Sequence, residues 1–275
     1  MKRILVAIDA SNFKTSLIDF ACYIARLTHS RLTGMFYHFQ LESVAMEKLK
    51  SEVFAGSAEW QLEYEERKEE YPKSIKLFKE FCCSREVNCD VHINGDVVIE
   101  ELIAETRYAD LVVADPTITF TNKAEVIPSV FLRELLARAE CPVLVAPESF
   151  EWVNEIVFAY DGSKSSVFAI KQFTYMFPEL RNRKVLVVEV CESENQSVTA
   201  KENISAWLHN NYSDINYLVL NGKPKDELFG YLLEKEKMFV VMGSFGRSML
   251  SSLFSKSNAE LLLKVVNLPF FIVHC

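Results

Sequence analysis

The stretch Ile4-Leu5-Val6-Ala7-Ile8-Asp9-Ala10-Ser11 recurs 152 positions later as Ile156-Val157-Phe158-Ala159-Tyr160-Asp161-Gly162-Ser163. Each copy reads as an apolar strand ending at Asp-x-Ser. His92-Ile93-Asn94-Gly95 returns loosely as Val219-Leu220-Asn221-Gly222, and Cys141-Pro142-Val143-Leu144-Val145 as Leu268-Pro269-Phe270-Phe271-Ile272, both at an offset of 127. Two copies of one unit explain these matches most simply. Any fold assigned to one half must therefore suit the other.

The fall in offset places 25 extra residues in the first copy, between Ser11 and Gly95. That region, about 41–85, carries Trp60, Tyr64, Tyr71, Ile75 and Phe78 at helical spacing around the charge run Glu65-Glu66-Arg67-Lys68-Glu69-Glu70. The pattern is an amphipathic helix, expected to break or restart at Pro72, with the charge run on its solvated face. Its aromatic face is expected to be core, the alternative being a docking face. The second copy alternates throughout: strand 155–160, helix 164–177, strand 184–190, helix 199–211, strand 215–220, helix 225–235, strand 238–242, a serine-rich loop, helix 258–267 and strand 269–274. Short apolar runs alternating with helical patterns imply βαβ units and parallel sheets with helices on both faces. The domains are expected at 1–148 and 151–275, with the linker near Pro147-Glu148-Ser149-Phe150.

A net charge of −8 disfavours non-specific nucleic-acid binding, which needs clustered cations to neutralise phosphates. No uncharged apolar run approaches the roughly 20 residues that span a bilayer, and the N-terminal apolar run is too short for a signal peptide. The expectation is a cytoplasmic protein that engages neither nucleic acid nor membrane. Seven cysteines without framework spacing suit a reducing compartment. Cys82, Cys83, Cys89 and His92 include ligand types for zinc, but adjacent cysteines on a helix diverge, so no metal site is expected.

In an open α/β sheet, ligands settle beyond the carboxyl ends of strands. Three polar stretches follow strands in the second copy: Asp161-Gly162-Ser163, Asn221-Gly222-Lys223, and the loop from Gly243 to Ser257. That loop runs into Ser257-Asn258-Ala259-Glu260, a capping box, and a helix start offers unpaired N–H groups and a positive dipole end to an anion. Gly243 and Gly246 would let the backbone approach a ligand. Equally, Ser257 could serve only as a cap and the glycines only as turn residues. The loop is not a Walker A motif, because Gly246 stands ten positions before Lys256.

The apolar strand ending at Asp161-Gly162-Ser163, with Val240-Val241-Met242-Gly243-Ser244-Phe245-Gly246-Arg247-Ser248 and the closing Pro269-Phe270-Phe271-Ile272-Val273, resembles a universal stress protein domain. The whole chain resembles the tandem form. The first copy matches at its start, at Gly95, at Ala109-Asp110-Leu111-Val112-Val113-Ala114 and at Cys141-Pro142-Val143-Leu144-Val145. The resemblance implies two five-stranded parallel sheets of the adenine nucleotide alpha hydrolase-like (Rossmann-like) type, packed as a pseudo-dimer through Val143-Leu144-Val145 and Phe270-Phe271-Ile272-Val273. A further homodimer stays open. The implied ligand is ATP or a related adenine nucleotide, with or without Mg. The nucleotide-binding set carried over is Ala159, Tyr160, Asp161, Val190, Met242, Gly243, Phe245, Gly246, Lys256, Ser257 and Asn258. Within it, Asp161 meets adenine or ribose, Ala159 and Val190 line the base pocket, Met242 and Gly243 flank the ribose, and Gly246, Ser257 and Asn258 hold phosphates. Lys256 stands where the family has a third glycine. Its Cβ could crowd the phosphates, or its ammonium could attract them.

The first copy departs from the motif. Its equivalent loop, Asp115-Pro116-Thr117-Ile118-Thr119-Phe120-Thr121-Asn122-Lys123, has no glycine and places a carboxylate at the first motif position. Nucleotide is therefore expected in the second domain alone, with Asp9 a structural group. The leading expectation is an adenine-nucleotide-binding stress-response or regulatory protein without catalysis. Alternatives are a nucleotide-independent scaffold for a protein partner, or a slow ATPase. The five histidines show no pairing at a nucleophile turn and no G-x-S-x-G occurs, so no catalytic residue is assigned.

Overall fold

The computed structural model describes residues 1–37, 58–93, 98–119, 125, 127–191, 198–233, 235–243 and 267–273. The first half runs β1 (Arg3–Asp9), α1 (Thr15–Leu27), β2 (Arg31–Tyr37), α2 (Ala58–Ser84), β3 (Cys89–Ile93), α3 (Val98–Thr106), β4 (Leu111–Ala114), α4 (Val130–Arg138), β5 (Val143–Val145). The second runs β6 (Glu155–Tyr160), α5 (Lys164–Met176), β7 (Lys184–Cys191), α6 (Val198–His209), β8 (Ile215–Asn221), α7 (Pro224–Leu232), β9 (Met238–Gly243), β10 (Phe270–Val273).

All ten strands lie in one sheet, ordered β3-β2-β1-β4-β5-β10-β9-β6-β7-β8. Within each half every pairing is parallel, and the halves meet where β5 and β10 pair antiparallel, with Phe271 opposite Leu144. The expected five-stranded units and their intramolecular pairing are thus both present. Central strands read as unbroken apolar runs because helices cover both faces: β4 and β9 are buried at every residue. Edge strand β8 instead mixes exposed with partly buried residues.

The period-2 alternation sorts side chains to two cores. Ile4, Val6, Ile8, Phe158 and Tyr160 pack in the core with α1, α2, α5 and α6, whereas Leu5, Ala7, Val157, Ala159 and Met242 pack in that of α3, α4 and α7. At the junction of the halves, Phe173 of α5 meets Phe177, Phe239 and Phe271 at ring-centroid distances of 4.8, 5.0 and 5.4 Å.

Helix α2 continues through Pro72, contrary to the break expected there. Proline forfeits one helical hydrogen bond, and tertiary contacts on either side hold the helix in place. The Tyr71 hydroxyl donates to the Phe36 carbonyl (3.0 Å), and Ser74 Oγ donates to that of Ala10 (2.8 Å). Phe78 is fully buried, while Tyr71 and Ile75 pack partly buried against the same core. The described part of the aromatic face is core, as expected; the Trp60 and Tyr64 side chains lie outside the described residues. Gly34 makes room for this helix, since a Cβ there would stand 2.8 Å from the Phe36 ring and 3.0 Å from that of Phe78. Among the described residues, no helix is long and apolar enough to cross a membrane.

Two outcomes follow. Phe271→Ala should destabilise the fold by about 3–5 kcal/mol in urea titrations followed by circular dichroism, because it empties a ring-filled site. Burial pushes the phenols of Tyr71 and Tyr212 up to about 12. In the unfolded chain a phenol ionises near pH 10. Their contribution is therefore complete below about pH 10 and lost as pH rises toward about 12. The urea midpoint should fall across that window, and fall less in Tyr212→Phe.

Candidate functional site

In the second half, the carboxyl ends of β6 and β9 lie side by side, with Ala159 in register with Met242. The chain leaves β6 through Asp161, whose Oδ1 accepts from the Ser163 amide (2.9 Å), and through Gly162, at φ +76°. The positive φ suits glycine, and the Asp161 bond tightens the turn. Ser163 then caps α5, its hydroxyl accepting from the Ser166 amide (3.1 Å). The result is an exposed carboxylate beside the positive end of a helix.

Gly243, at the end of β9, closes the other side. A Cβ there would stand 2.4 Å from the carbonyl carbon of Ser165 and 2.5 Å from its oxygen. The close approach that requires this glycine is made by the first turn of α5. Sequence reasoning assigned the missing side chain to a ligand, yet a packing constraint within the chain already requires it.

The residues carried over by resemblance divide between the two sheet faces. Ala159, Met242 and the partly buried Val190 belong to the α7 side, whereas Tyr160 belongs to the α5 and α6 side. Burial first, then the charges of Glu189 and Asp161, raise the Tyr160 phenol above its ordinary range. Phe245, Gly246, Lys256, Ser257 and Asn258 lie outside the described residues. The Asn221-Gly222-Lys223 turn is remote from this crevice. It follows β8, which β6 and β7 separate from β9, about 14 Å at the usual spacing of neighbouring strands. There Gly222 adopts φ +144° and lies against Glu227.

At the equivalent strand ends of the first half, the described polar side chains bond to one another. Asp9 Oδ1 accepts from the Ser11 amide (3.0 Å) and hydroxyl (2.6 Å), a local turn role. Asp115, 4% exposed, receives Lys14 Nζ at 2.9 Å on Oδ1, together with the Thr117 amide at 2.8 Å and hydroxyl at 2.5 Å. Lys14 also bonds Thr117 Oγ1. A lysine from the loop after β1 thus spans to the end of β4. Sequence reasoning identified the carboxylate but missed its counter-ion, because nothing in the spacing connects Lys14 to a residue 101 positions away.

The cysteine cluster has a different make-up from the one weighed in the sequence. Cys82 faces Cys22 of α1, with sulfurs 4.0 Å apart, Cys83 is exposed, and His92 stands 3.8 Å from Glu101. Among the described residues, no group of three or more such ligands could hold a metal. A cavity of about 980 Å³ lies at the amino ends of the first-half strands, lined in part by Lys2, Arg26, Arg31 and Arg85. Arg26 occupies the last turn of α1, and Arg85 follows α2 and donates to the Phe81 carbonyl. Both sit where a helix dipole favours a cation.

No protein-family model matches the chain, and no curated protein matches it in sequence. Solved structures match over its whole length. A universal stress protein from Archaeoglobus fulgidus aligns at TM-score 0.66 and 12% identity, covering 98% of each chain. A putative universal stress protein from Pseudomonas aeruginosa aligns at 0.58 and 17% identity, covering 100% of this chain and 93% of that one. A functionally unknown protein from Pseudomonas aeruginosa aligns at 0.57 and 16%, covering 100% and 92%. The chain therefore has the fold of full-length universal stress protein structures.

Gly243→Ala should cost about 1–3 kcal/mol through overpacking, read as a lowered urea midpoint. Ser165→Gly should give no relief, because the nearest atoms are backbone.

Proposed function

We propose that the protein is a universal stress protein that binds an adenine nucleotide, ATP or a close relative, in the crevice of its second half, and that it acts by binding rather than by turnover. The observation that carries this reading is the contrast between the two strand-end crevices. One carries a Lys14–Asp115 ion pair and a buried Asp9, while the other presents exposed Asp161 beside the capped start of α5. An exposed carboxylate there suits the hydrogen-bond donors of an adenine amine or a ribose. The sequence supplies Gly246, Ser257 and Asn258 for phosphates, and Lys256 adds a cation to that group. The match to universal stress protein folds supports the assignment, although fold alone does not fix function. A bound Mg ion would share the phosphate charge.

A second reading is a nucleotide-independent scaffold for a protein partner, favoured by Lys256 in place of the third motif glycine. The two separate in one experiment. Protein purified without added nucleotide is denatured, and the supernatant is resolved by anion exchange with mass detection. Titration calorimetry with ATP follows. ATP, ADP or AMP released from the native sequence and absent from Gly246→Asp supports binding in the second half, and Asp161→Ala should weaken calorimetric affinity about tenfold or more, as expected for loss of a charged hydrogen-bond partner. Empty supernatants together with no heat on titration would sink the nucleotide reading in favour of the scaffold.

A further inference from the structure

The sheet ends at two edges, β3 and β8, and they differ in make-up. β3 carries Asp90 and His92 among its five residues, with Asp90 paired to Arg31 at 2.9 Å. β8 runs Ile215-Asn216-Tyr217-Leu218-Val219-Leu220-Asn221, with neither a charge nor a proline. Charges, prolines and bulges are the devices that keep a strand edge from pairing with another chain. The register of β8 on β7 is unbroken from Val185↔Ile215 to Cys191↔Asn221, so no bulge turns this edge aside either.

Among the described residues β8 pairs with β7 alone, and the bonds at the two ends of that ladder fix which peptide groups face outward. The Val185 amide donates to the Asp214 carbonyl (2.8 Å), and the Gly222 amide donates to the Cys191 carbonyl (3.0 Å). Successive residues of a strand direct their peptide groups to opposite sides. Asp214, Asn216, Leu218, Leu220 and Gly222 therefore direct theirs to β7, and Ile215, Tyr217, Val219 and Asn221 direct theirs to the open edge.

That outward set is self-complementary. A second β8 laid antiparallel, with a two-fold axis at Leu218, puts Tyr217 opposite Val219 and Ile215 opposite Asn221, so that every facing pair exchanges outward amides and carbonyls. The side chains agree with the backbone. Tyr217 and Val219 share one face of the strand, each 45% exposed, and the pairing sets each ring against a β-branched side chain, a stabilising combination across antiparallel strands. No like charges meet within the overlap, since β8 carries none.

We infer that β8 is a self-association edge, to which a second copy of this chain adds its own β8 antiparallel about a two-fold axis at Leu218. The molecule joins its own halves in the same manner, through the antiparallel pairing of β5 with β10. The contact is isologous, so it closes at two chains and leaves the charge-bearing β3 at both outer edges.

Sedimentation velocity of the full chain over about 1–100 μM, the range suited to a small interface, should show a monomer passing to a dimer. Residue-resolved amide exchange should slow at Tyr217 and Val219 as the dimer forms, and stay unchanged at Leu218 and Leu220, whose amides face β7. Val219→Pro removes an outward amide without touching the β7 ladder. It should raise the dissociation constant about tenfold or more, with an unchanged circular dichroism spectrum. If Val219→Pro unfolds, Val219→Lys, which places a charge on the paired face, decides in its place. Ile93→Lys, at the other edge, should leave the dimer intact. A monomer throughout the range, a dimer indifferent to substitution of Val219, a dimer lost in Ile93→Lys, or no slowing at Tyr217 and Val219 would each overturn the inference. The test does not depend on whether nucleotide binds elsewhere.

Discussion

Everything in this molecule is referred to the antiparallel pairing of β5 with β10. Three residues of one strand and three of the other, with Phe271 facing Leu144, turn two parallel sheets into one. Each half would otherwise end in an edge strand of unpaired amide and carbonyl groups, an invitation to aggregate. The aromatic cluster of Phe173, Phe177, Phe239 and Phe271 backs the junction with side-chain packing. The strand pairing is thereby joined to the hydrophobic core, and neither half can separate without opening it.

Because the pairing is antiparallel, the carboxyl ends of the two sets of strands point to opposite ends of the sheet. Each half thus has its own crevice, remote from the other, and the two are built differently. In the first, a buried carboxylate holds a lysine and a threonine. In the second, a glycine lets a helix start approach a strand end, leaving an exposed carboxylate at the rim. A charge removed from water is stable only when paired, so the Lys14–Asp115 arrangement is self-consistent without a ligand.

Much of this was legible in the sequence. The recurring strand with its Asp-x-Ser end located β1 and β6, the repeat gave the two Pro-containing apolar strands equivalent places in their halves, and the resemblance to tandem universal stress proteins put them at the junction. The boundaries of α5, β6 and β7 follow from pattern alone to within a residue or so. Other features depend on tertiary context. Pro72 reads as a break because local propensity knows nothing of the contacts made by Tyr71 and Ser74. Gly243 reads as a ligand glycine because its steric neighbour, Ser165, is distant in sequence. Tyr160 is adjacent to Ala159 in the chain but faces the other way, a consequence of the strand's period that a motif list ignores.

Covalent fusion of the two halves has a consequence for how such a molecule can change. In a symmetric assembly of identical chains every substitution appears twice, so a residue that seals one crevice seals both. Here the genetic text of the two halves is separate while their pairing remains intramolecular, held at an effective concentration that does not vary with the amount of protein. Lys14 and Asp115 could arise on one side while Gly243 was retained on the other. The duplicated sheet thus preserves a symmetric frame and frees its two halves to diverge in chemistry.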